Sequence, residues 1–151
     1  MNELSFRLIP PTEFDPGEVR ILIDGRDLVE FVRDVELPFA TAAGGPDRAG
    51  DYAGLELLAV ALPSRHFWGS PSLAIYQWDG FTQLLECSGC REPGCAPLFC
   101  RIDVQQDHVR WSDFCESTKP GPHDWDYSQL GPFEFDRTQY EQAVNEIPAP
   151  A

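Results

Sequence analysis

The chain has 151 residues, which suits one domain with a real apolar core. Its hydrophobic fraction of 42% and charged fraction of 24% are those of an ordinary globule, so neither a disordered nor a fibrous class is indicated. With 25 acidic against 11 basic residues, the formal net charge is −14. Such a charge repels phosphate backbones and anionic lipid, so no nucleic-acid or membrane partner is expected, whereas a basic protein partner is permitted.

The first residues, Met1-Asn2-Glu3-Leu4-Ser5-Phe6, show no basic region followed by an apolar run, and no stretch of the sequence approaches 18 apolar residues. The expectation is a cytoplasmic protein whose thiols stay reduced. Five cysteines, an odd number, also suit a disulfide framework poorly.

Leu4 to Ile9 reads as a strand stopped by Pro10-Pro11, and Val19 to Ile23 as a second strand ending at the turn signal Asp24-Gly25. From Asp27 to Leu37, apolar Leu28, Phe31, Val32 and Val35 recur at helical spacing. Asp27 and Glu30 suit a capping box at the start of that helix, and Pro38 is expected to stop it. Residues 42–54, rich in Gly, Ala and Asp, read as a long connection with a mobile tip. Leu57 to Leu62 reads as a strand.

Leu73 to Trp78 and Phe81 to Cys87 flank Asp79-Gly80, a pattern that favours a hairpin with a type I′ turn. The implied register sets Trp78 opposite Phe81, Tyr76 opposite Gln83 and Ala74 opposite Leu85. Pro97 to Val104 and Val109 to Cys115 read as a further antiparallel pair, with Val104 opposite Val109, Ile102 opposite Trp111 and Leu98 opposite Cys115. Residues 116–132 are irregular, pinned to the body by Trp125 and Tyr127. A last helix starts at an Asp136 cap with Gln139 three residues later, presents Tyr140, Ala143, Val144 and Ile147, and ends at Pro148, leaving 148–151 as a frayed tail. The expected fold is α+β: a single globular domain, 1–151, with an antiparallel sheet of about four to six strands covered by two helices.

Four of the five cysteines, Cys87, Cys90, Cys95 and Cys100, fall within fourteen residues. Cys87-Ser88-Gly89-Cys90 has the two-residue spacing of a metal knuckle, and Pro93-Gly94 can turn Cys95 back toward it. These four form the candidate structural zinc site. Cys115, His66 and His123 are alternatives to Cys100 as fourth ligand, because Cys100 shares a strand face with Leu98 and Ile102, as a core cysteine would. The two proposed hairpins bring the cysteines toward one end of the sheet. No phosphate loop, dinucleotide fingerprint, His-Glu-x-x-His helix or nucleophile elbow is present in the sequence.

The run Leu85 to Pro97, with Val109-Arg110-Trp111-Ser112-Asp113-Phe114, Leu130-Gly131-Pro132-Phe133-Glu134-Phe135-Asp136 and Ser64-Arg65-His66-Phe67, resembles a group of small acidic bacterial proteins of uncharacterised function. The resemblance implies a bacterial, cytoplasmic, single-domain protein and supplies no activity. Function is therefore read from the residues as a non-enzymatic binding or adaptor protein with a structural metal-binding cysteine loop. The alternative is a small metal- or thiol-dependent enzyme using the cysteine cluster with His66 or His123.

Overall fold

Leu4–Ile9 (β1) and Glu18–Ile23 (β2) pair antiparallel, with Leu4 opposite Ile23 and Ile9 opposite Glu18. Alternation along β2 sends Val19, Ile21 and Ile23 into the core. Asp24 and Gly25, both at positive φ, turn the chain into Arg26–Asp27 (β3), which pairs back onto β2. These strands belong to a computed structural model that describes residues 1–44, 47–89, 97–116 and 125–149.

Helix α1 (Leu28–Ala43) begins at the expected cap, the Asp27 carboxylate accepting from Val29 N–H. Glu30 completes no capping box; its carboxylate lies 3.6 Å from Arg26 Nε. Pro38 does not stop the helix, which runs a further turn and more to Ala43. Proline removes one hydrogen bond, and tertiary contacts hold the last turns in place. Ala40 is buried, and the Phe39 ring stacks on Trp125 at a centroid distance of 6.2 Å.

The second sheet contains Tyr52–Gly54 (β4), Gln77–Trp78 (β5), Phe81–Cys87 (β6), Leu98–Val104 (β7), His108–Cys115 (β8) and Phe133–Asp136 (β9). Its order is β4-β6-β7-β8-β9, with β5 also paired to β6. It is the expected antiparallel sheet, and α1 with α3 (Arg137–Asn145) are the two substantial helices. An antiparallel bridge from Val19 to Leu55 joins β2 beside β4, and a parallel bridge from Asn2 to Phe135 joins the start of the chain to β9. Both edges of the large sheet therefore meet the small one, and the sheet curls almost closed. Gly54 permits one of these junctions, since a Cβ there would lie 2.2 Å from Val19 O.

Several local expectations need correction. Leu57–Val60 is a short helix (α2), not a strand; its unbroken apolar run carries no period-2 signal. Ala74–Tyr76 is a 3₁₀ turn, so the first hairpin keeps only Trp78 opposite Phe81 and Gln77 opposite Thr82. Asp79 and Gly80 both have positive φ, as a type I′ turn requires. In the second hairpin Val104 pairs with Val109 and Ile102 with Trp111, but a bulge then moves Cys115 opposite Phe99 rather than Leu98.

The core is aromatic. Trp111 Nε1 donates to Tyr140 Oη at 3.1 Å, and the Tyr140 hydroxyl donates to the Phe67 carbonyl. Trp111 and Tyr140 are fully buried and Phe67 nearly so, so this chain of bonds ties β8, α3 and the 3₁₀ segment His66–Trp68 into one unit.

Candidate functional site

The zinc reading fails on the register of β6 and β7. Cys100 pairs with Thr82, five residues before Cys87, a separation of about 15 Å of strand. Sulfurs on one tetrahedral zinc sit only about 4 Å apart. Cys100 is fully buried in the apolar core, and burial, followed by Cys115 and nearby acids, pushes its thiol well above the ordinary range. It is a core cysteine. Cys90, Cys95 and His123 lie outside the described residues. Among the described residues no group of three or more His, Cys, Asp or Glu is placed to hold a metal ion. The structural zinc clip of Cys87, Cys90, Cys95 and Cys100 is thus corrected, and with it the metal-dependent role.

His66 does not serve the cysteines either. It is buried, with Nε2 2.6 Å from the Gln83 carbonyl and its ring against Phe67 and Tyr76. Burial lowers its pKa to about 4, so the neutral imidazole donates from Nε2. His66 Nδ1 has no hydrogen-bond partner among the described residues.

A different constellation surrounds Glu36. On α1 the buried positions are Leu28, Val32, Glu36 and Ala40, so a carboxylate interrupts an apolar stripe of helical period. Three donors receive it. Gly50 N–H reaches Oε1 at 2.8 Å, and the hydroxyls of Tyr52 and Tyr127 reach Oε2 at 2.6 and 2.5 Å. The Tyr127 hydroxyl also lies 2.8 Å from Glu116 Oε2. It has one proton and therefore serves one of the two carboxylates at a time. Burial is the largest cause raising the pKa of both tyrosines; the Glu36 charge adds to it in Tyr52, the neighbouring Tyr52 and Glu36 in Tyr127. Both phenols thus remain donors through the alkaline range.

The turn carrying Gly50 is shaped for this contact. Arg33 holds it by Nη1 to the Ala49 carbonyl at 2.8 Å and Nη2 to Asp47 at 2.7 Å. Gly50 sits at φ +69, and a Cβ there would come 2.7 Å from Arg33 Cβ. Outside this buried knot opens a cleft of about 570 Å³ lined by Glu36, Arg48, Asp51, Tyr52, Cys87, Glu116 and Trp125. Among the described residues, three carboxylates and one arginine line it, and Trp125, backed by Phe39, supplies an aromatic wall.

No protein-family model, curated protein or solved structure matches the chain. The site's chemistry is the guide to function.

Among the described residues, Cys87 is the one sequence-derived candidate that lines this cleft. Trp125 and Tyr127, read from sequence as anchors of an irregular segment, belong to the site. Glu36 and Glu116 were not singled out from sequence. The available signal for Glu36 was its place four residues after Val32 and four before Ala40, an acid on an apolar stripe.

Proposed function

We propose that the chain is a binding protein that captures a cationic group of a basic partner in the cleft beside Glu36. The observation that carries this reading is the lining itself: the carboxylates of Asp51, Glu116 and the buried Glu36 outnumber the single arginine, Arg48, around a concave surface with Trp125 as one wall. A guanidinium or ammonium group entering it gains carboxylate contacts and an aromatic face together. The net charge of −14 adds long-range attraction for a basic protein and speeds encounter.

The direct test is a titration with a hexa-arginine peptide, read by calorimetry at two salt concentrations. Saturable binding that weakens with salt is expected, reduced by about tenfold or more in Glu116→Gln and in Trp125→Leu. Unchanged affinity in both variants contradicts the reading.

A further inference from the structure

In so acidic a chain an arginine easily finds a carboxylate, and most do. Arg7, Arg20, Arg26, Arg33, Arg101 and Arg110 each form an ion pair. Arg65 and Arg137 have no carboxylate partner among the described residues, yet they converge. Each guanidinium carbon lies 5.7 Å from the centroid of the Trp68 ring, so the two cations are no farther apart than twice that distance. Both line a small pocket of about 260 Å³.

The platform beneath them is fixed. Trp68 packs edge-on against Tyr140 at 5.2 Å and 73°, and Tyr140 is tied to Trp111 and to the Phe67 carbonyl. Arg137 is held at one nitrogen, Nη1 to the Gln105 carbonyl at 2.9 Å, which leaves most of its fork of donors for another acceptor. Glu141 also lines the pocket, one helical turn after Arg137, but forms no ion pair with either arginine. Two like charges on one rigid ring repel each other, and an anion between them removes that cost.

We propose that this pocket binds a single oxyanion, a carboxylate or phosphate group, between Arg65 and Arg137 against Trp68. Planar guanidinium forks match either group in bidentate fashion. Glu141 opposes extra negative charge and so favours a monoanion. The site is separate from the acidic cleft and does not depend on the proposal made for it.

The test follows the Trp68 indole N–H of the full-length, ¹⁵N-labelled chain by NMR, assigned through Trp68→Phe. Sodium phosphate and sodium acetate are titrated separately, with sodium chloride at matched ionic strength as the control. A saturable shift absent with chloride is expected. Its midpoint should move at least about tenfold upward in Arg65→Gln or Arg137→Gln, and downward in Glu141→Gln. Response to phosphate alone, acetate alone or both supports the site and names the source of the oxyanion. Response to neither overturns it. So does a midpoint left unchanged in Arg65→Gln, an exposed position whose change leaves the core intact; that result means an adventitious ion only.

Discussion

His66 is enclosed by Phe67, Tyr76 and the backbone of β6, and this burial has a measurable consequence. Its folded pKa of about 4 lies below the ordinary value of 6.5. Between those values the unfolded chain takes up the proton and the folded chain refuses it. Stability is therefore unaffected by this group above pH 6.5 and falls as pH drops toward 4, by about 3 kcal/mol in all. Urea denaturation of the native chain and His66→Gln across pH 7 to 4 should show the stability gap between them narrowing by about that amount. A constant gap would contradict the burial. Glu36 makes a second prediction. Glu36→Ala leaves the Gly50 amide and the Tyr52 hydroxyl without their acceptor and is expected to cost about 3 kcal/mol or more. A loss under about 1 kcal/mol, by the same denaturation, would show that the knot is not a structural unit. The sequence hinted at neither environment strongly. A histidine reads alike in a loop or a core, and Glu36 stands out only once the helix is extended past Pro38.

Elements were more legible where local signals and tertiary contacts agreed. Asp27 and Asp136 both cap helices, Val104 does face Val109, and Asp79-Gly80 does turn the first hairpin. They failed where packing overrode a local rule. Pro38 suggested a helix end, but Ala40 and Phe39 bind the last turns to the body. Because Pro38 is exposed and interior to α1, Pro38→Ala restores a helix hydrogen bond without disturbing the core. It is expected to raise stability by about 1–3 kcal/mol. A lower thermal midpoint would show that the proline itself is needed. β9 was missed because Phe133–Asp136 is short and precedes a helix directly; only its pairing with β8 reveals it. Gly54 marks where β4 approaches β2, and Gly54→Ala should prevent a stable fold, since a Cβ would lie 2.2 Å from Val19 O. Circular dichroism of that variant would check it.

At the scale of the molecule, the zinc expectation was undone by register. Proximity in sequence placed Cys87 and Cys100 together, and a β-hairpin separated them along the strand. Spacing within a loop predicts a metal site only when every ligand stays in the loop, and Cys100 belongs to a core strand. Net charge, by contrast, was legible from composition, and the fold gathers part of it into one cleft. On the proposed function, the cleft rather than overall charge captures the cation. The decisive measurement compares two charge-matched double variants against the same hexa-arginine peptide. One is Asp51→Asn with Glu116→Gln in the cleft; the other is Glu13→Gln with Glu146→Gln, away from it. A loss of about tenfold or more is expected for the cleft pair and a small one for the remote pair. Equal losses would mean that only net charge matters, and would contradict the proposed function.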